Sequence, residues 1–171
     1  MPIGDMIQHL LGATPATIEF IGDFPEDRMN LAIKFNNSEI KDIISFLFST
    51  INALYGLTVT KKVDERTVYS ISIADEKKVE DIASKKSNVL TSVSYEGNNW
   101  VGSNVNMPIL INFLESELGV IFKDKTGIQN SINVQFDKTD IEKAVLSLES
   151  LGFTINEATD DVTITIVEKG R

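Results

Sequence analysis

The sequence predicts an α+β fold of two similar halves, each packing two helices on a small sheet. Three observations predict it. Apolar stripes at helical spacing recur four times, each stripe ends at a glycine, and short β-rich runs fill the spaces between. Written out, both halves read α-β-β-α-β-β, a pattern that suits helices laid against a sheet.

The first stripe is Ile3, Met6, Ile7, Leu10 and Leu11, closed by Gly12. Pro2 fits its first turn, where a missing N–H costs nothing. Strands are expected over 17–21 and 30–35. The second stripe runs Ile40, Ile44, Leu47, Ile51 and Leu54 to Gly56. Strands over 57–61 and 68–73 then read as a hairpin. The third stripe, Leu110, Phe113, Leu114 and Leu118, ends at Gly119 and has Pro108 near its start. Strands follow over 120–123 and 131–136. Thr139-Asp140-Ile141-Glu142 reads as a capping box for the fourth stripe, Ile141, Ala144, Val145, Leu148 and Leu151, which closes at Gly152. A second hairpin is expected from 153–157 and 162–167, with Asp160-Asp161 in its turn. The strict alternation of 162–166 fits a sheet with one wet face.

A shift of 101 residues lays Asp23 on Asp124, Phe35 on Phe136, Ile40 on Ile141 and Leu47 on Leu148. The shared order of helix, cap glycine and strand predicts an internal duplication, with halves at 1–75 and 107–171. Residues 76–106 break the pattern and read as a connecting segment. They are charged at Asp75–Asp81, polar at Lys85–Asn88 and rich in Asn and Gly from 97 to 106, with a strand of their own expected over 89–95.

Composition narrows the function classes. The chain has 171 residues, 42% hydrophobic and 24% charged, which is the make-up of a folded domain. A net charge of −9 disfavours nucleic acid and anionic lipid surfaces as partners. With no cysteine and a single histidine, His9, the sequence offers no disulfide, thiol chemistry or His/Cys metal cage, and no cofactor is expected. No window approaches the roughly 18 continuous apolar residues of a membrane helix. The start, Met1-Pro2-Ile3-Gly4-Asp5, has no basic n-region, so the chain reads as cytosolic or as a piece of a longer protein.

Asp124-Lys125-Thr126-Gly127 is the most conspicuous tetrapeptide. It matches the start of the P-type ATPase phosphorylation motif, but Ile128 stands where a second threonine belongs, and the accompanying Mg²⁺-binding segment has no counterpart. The competing reading is a strand-end turn with Gly127 at positive φ. Trp100, set in Gly97-Asn98-Asn99-Trp100-Val101-Gly102, is either a stacking surface for a sugar or partner, or a ring folded back into the protein. His9 reads as solvated.

Two resemblances follow from these segments. The chain resembles the "soil-associated" bacterial domain family of unknown function. Thr67-Val68-Tyr69-Ser70-Ile71 stands for its PVY-apolar strand, and 107–118 for the helix after a variable linker. Residues 120–128, with Asp124-Lys125-Thr126-Gly127, stand for its PVVDKTGL signature, and Ala144 with Leu151-Gly152 for its last helix. Each half is also similar to the short N-terminal domain of secretins and TonB-dependent receptors, which runs helix, strand, strand, helix, hairpin. The first resemblance implies an extracytoplasmic domain without established activity, and the second a docking or signalling role.

The expected function is therefore a non-catalytic extracytoplasmic protein-interaction or signal-transmitting domain. Its partner would dock on an edge strand, for which 162–167 is the candidate because it ends the chain. A small-ligand or glycan-binding module using Trp100 is the alternative, and an enzyme centred on Asp124 the third reading. Candidate binding residues are Trp100, Asp124, Lys125, Thr126 and Gly127.

Overall fold

The computed structural model describes residues 2–22, 24, 40–84 and 90–170. In chain order these form α1 (Ile3–Leu11), β1 (Ile18–Ile21), α2 (Ile40–Tyr55), β2 (Leu57–Ile73), α3 (Glu76–Ile82), β3 (Ser92–Glu96), β4 (Asn99–Val105), α4 (Met107–Leu118), β5 (Ile121–Asp124), β6 (Ile132–Asp137), α5 (Ile141–Ser150) and β7 (Phe153–Lys169). The class is α+β, as expected. The strand expected over 30–35 lies outside the described residues.

All four stripes become helices, and the glycines after them, Gly12, Gly56, Gly119 and Gly152, all take positive φ. Pro108 sits in the first turn of α4, whose N-cap Asn106 accepts from the Ile109 N–H at 3.0 Å. The capping box at Thr139 is not formed. Asp140 is the N-cap of α5 and accepts from the Lys143 N–H, while the Thr139 hydroxyl donates to Asp137 instead.

The two hairpins are not formed either. β2 and β7 are single strands of 17 residues each. They run antiparallel to one another: the Gly170 N–H donates to the Gly56 carbonyl at one end, and the Ala74 N–H to the Gly152 carbonyl at the other. For the first, the reason lies in turn chemistry. A two-residue hairpin turn needs positive φ, and 57–73 contains no Gly or Asn to supply it. These elements do not establish a duplication. Gly56 and Gly152, which precede the two long strands, do not coincide under a shift of 101 residues.

The chain divides into two compact units, Met1–Asp64 with Asp161–Arg171, and Glu65–Asp160. The segments 1–75, 76–106 and 107–171 do not coincide with these units, because the division falls within β2 and at the middle of β7.

In the first unit, β7 lies between β1 and β2, and β1 runs parallel to it with Ile18 beside Thr165 and Ile21 beside Glu168. Residues 165–167 of the expected edge are thus interior, whereas 162–164 have no partner strand on the β1 side among the described residues. The core is Ile3, Met6, Ile7, Ile18, Ile51, Leu57 and Val167. Of the α2 stripe, Ile51 is buried, while Ile44 and Leu54 are exposed.

In the second unit, β2 lies between β7 and β5, and β5 runs parallel to β2 with Tyr69 beside Phe122. A three-stranded antiparallel sheet, β3-β4-β6, completes it. The supposed connecting segment supplies α3, β3 and β4. Asp75 caps α3 by accepting from the Lys77 and Lys78 N–H groups, and Gly97-Asn98 makes the two-residue turn between β3 and β4. The strand expected over 89–95 is realised as β3. β4 is the central strand of its sheet, and Trp100 and Val105 on it are fully buried with Leu110, Leu114, Phe136, Leu148 and Phe153. Polarity at 97–106 marked a turn, not a mobile link.

Candidate functional site

The tetrapeptide after β5 is a turn that consumes its own polar groups. Asp124 Oδ1 accepts from both the N–H and the hydroxyl of Thr126, at 2.8 and 2.7 Å. The Thr126 Oγ1 in turn accepts from the Ile128 N–H at 3.1 Å, and Gly127 holds φ +71. The Lys125 N–H donates to the Ile71 carbonyl, tying the turn to β2. Asp124 and Lys125 are exposed, and no general base is held against the carboxylate by these bonds.

The same device recurs at the end of β6. Asp137-Lys138-Thr139 repeats the Asp-Lys-Thr sequence, and Asp137 Oδ1 likewise accepts from the Thr139 N–H and hydroxyl. Twice in this unit, a strand end is fixed by an aspartate folding its chain back with the threonine two residues on. These bonds hold the Asp137 carboxyl below the usual aspartate range.

Trp100 is not available to a ligand. Its ring has no exposed surface, stacks on Phe136 with centroids 5.2 Å apart, and touches Phe113 at 5.0 Å. Its indole N–H finds no acceptor among the described residues. A glycan-binding role through this ring is thereby corrected: the aromatic sits in the core because β4 is a central strand. The structure does not bring it together with the Asp124 turn, which stands on the other sheet. His9 is exposed in the last turn of α1.

A polar cluster joins β3, α4 and the end of β6. The Tyr95 hydroxyl and the Lys138 ammonium both donate to Glu117, each at 2.8 Å, and Lys138 lies over the Tyr95 ring. Burial raises the Glu117 carboxyl, but the bonds from Lys138 and Tyr95 outweigh it and leave it below its ordinary value. The groups satisfy one another, so the cluster acts as a clasp.

A concave feature of this unit lies elsewhere. An open groove of about 490 Å³ runs between α5 and the β2–β7 pair, lined by Tyr69, Ile141, Glu142, Val145, Leu146, Ile155 and Glu157. Helical spacing puts Ile141, Glu142, Val145 and Leu146 along one side of α5. The inner residues of the α5 stripe, Ala144 and Leu148, are buried, which leaves Ile141 and Val145 for the groove. Strand alternation puts Ile155 and Glu157 on one face of β7. Tyr69 and Glu157 line the groove together. Burial first, and then the neighbouring Glu157 carboxylate, push the Tyr69 phenol upward.

None of these lining residues was among the sequence candidates. Ile155 and Glu157 alternate visibly, but their meeting with Tyr69 depends on β2 pairing with β7, and the hairpin assignment hid that pairing. Among the described residues, no group of three or more His, Asp or Glu side chains is placed to hold a metal ion, and no helix is long and apolar enough to cross a membrane. No family model, curated protein or solved structure matches the chain.

Proposed function

We propose that this chain is a non-catalytic protein-interaction domain that works outside the cytoplasm. The location rests on the resemblance to the soil-associated family, and the docking role on the likeness to the secretin and TonB-receptor module, whose closing hairpin is not formed at 57–73 or 153–169. One observation carries the docking role. Among the described residues, β7 has an uncovered hydrogen-bonding side over its first half. β1 pairs only with residues 165–168, and among the described residues no strand covers that side of 153–160.

The end bonds give the phase. Gly170 and Gly152 bond toward β2, so the even-numbered residues of β7 face β2. Odd-numbered residues face away, as the Thr165 N–H does in donating to Thr17. The backbone groups of Phe153, Ile155, Glu157 and Thr159 therefore point to the free side. Such an edge is a template for a partner's strand. The reading assigns no chemistry to Asp124, whose carboxylate orients its own turn.

The test is a photo-crosslinking side chain at Thr159, with a second at His9 on α1 as control, carried in the native host. A discrete protein adduct at Thr159, absent at His9, is expected. Equal labelling at both positions, or none at Thr159, overturns the reading.

A further inference from the structure

We propose that the groove between α5 and β7 takes an extended peptide segment of a partner protein, laid beside β7, with a basic side chain two residues from an apolar one. The proposal rests on the docking role above and names the chemistry that this site would select.

An added strand would bond to the outward groups of Ile155, Glu157 and Thr159. Side chains of paired residues share a face, and residues two apart on one strand share it too. The partner residue opposite Ile155 would thus lie on the groove side, over the apolar lining of Ile141, Val145 and Ile155. Its neighbour two positions along would stand opposite Glu157, on the same side as Glu142. The lining contains two carboxylates and no cation, and among the described residues no ion pair involves Glu142 or Glu157. Glu157 stands in the lining with Tyr69, and its carboxylate has acceptor capacity for a further donor. A guanidinium or ammonium complements this pair, and its aliphatic stem suits the apolar lining beside it. The net charge of −9 adds attraction at longer range. Leu146, 66% exposed, gives the groove an apolar rim.

The probe is a blocked seven-residue peptide alternating threonine with valine, arginine and valine. Counterparts carry glutamine or glutamate in place of arginine. Amide shifts in nitrogen-15 spectra of the whole chain locate the binding. The arginine peptide is expected to move the amides of Ile155, Glu157 and Thr159 and to bind about tenfold tighter than the glutamate peptide. That preference should shrink on raising salt to about 0.3 M and vanish in the double variant E142Q/E157Q, whose circular dichroism stays unchanged.

If all three peptides move the β7 amides equally, strand docking stands and the selection for a basic side chain falls. If none moves them, the peptide proposal falls, while the crosslinking at Thr159 judges the docking role separately. If butylguanidine alone matches the arginine peptide, the groove is a small-cation site and the peptide proposal falls.

Discussion

The Trp100 ring fills the space that a side chain on Gly102 would need: a Cβ there would lie 2.6 Å from Cζ3 of the indole. The two residues are two apart on β4 and share a face, so the ring can lie over the glycine only because the glycine has no side chain. Gly102→Ala should therefore cost about 1–3 kcal/mol by overpacking. Trp100→Ala should cost about 3–5 kcal/mol through the cavity it leaves. Trp100→Phe should cost less, because it also removes a buried donor that has no acceptor. Urea unfolding followed by circular dichroism ranks the three. Trp100 is the sole tryptophan, so the native chain should show blue-shifted emission resistant to acrylamide.

Acid sensitivity should trace to the carboxyls that cap and turn the second unit. Asp137 is held below 3.8 by the Thr139 hydroxyl and N–H, and Asp140 below the same value by the Lys143 N–H. Glu117 is held below 4.5 against its own burial. A lowered folded pKa stabilises above the unfolded value and loses that contribution as pH falls through the folded value. The urea midpoint should fall as pH drops from about 5 toward about 3. In the D137N/D140N double variant, the fall should be shallower. An unchanged acid slope in that variant contradicts the assignment.

Tyr69 should titrate above 10.0, with burial as the larger cause and Glu157 as the next. Glu157→Gln removes the charge, so the phenol should move back toward 10.0 without reaching it. Difference absorbance near the phenolate band, with Tyr69→Phe as the reference, isolates this residue. A raised phenol favours the folded chain below 10.0 and loses that contribution as pH rises through the raised value. No movement in Glu157→Gln places the carboxylate away from Tyr69.

What could be read in the sequence followed locality. The stripes ending in Gly12, Gly56, Gly119 and Gly152 became helices with positive-φ glycines, because capping and amphipathicity are written within a turn or two. The Asp124 turn was legible for the same reason, and its repeat at Asp137-Lys138-Thr139 was equally visible as a repeated tripeptide. The groove was not legible. Glu142, Tyr69 and Glu157 lie on three elements, and only long-range pairing brings them together. Trp100 is folded back, one of the two readings its neighbours left open: Gly97 and Asn98 are a hairpin turn, and Gly102 is room for the indole. The same residue types would mark a mobile link in a segment with no pairing partner.

The pairing of β2 with β7 has a direct covalent test, made clean by the absence of native cysteine. The bonds at both ends put Thr67 opposite Thr159 in a pair that does not exchange backbone hydrogen bonds. In such pairs the Cα atoms lie about 4.5 Å apart, within the span of a disulfide. Both threonines are exposed. The double variant T67C/T159C should therefore oxidise to an intramolecular disulfide under mild conditions, read as a small mass loss and faster migration without reductant. The alternative, with 57–61 folded back on 68–73 and 153–157 on 162–167, puts Thr67 and Thr159 in separate hairpins that need not meet. A second pair, T67C with T163C, serves as the control: Thr163 is four residues further along β7 than Thr159, on the same face, and so too far for a strain-free bridge. Rapid bridging in the first variant and not in the second is the expected outcome. Equal or absent bridging in both would mean that the two long strands do not pair in this register.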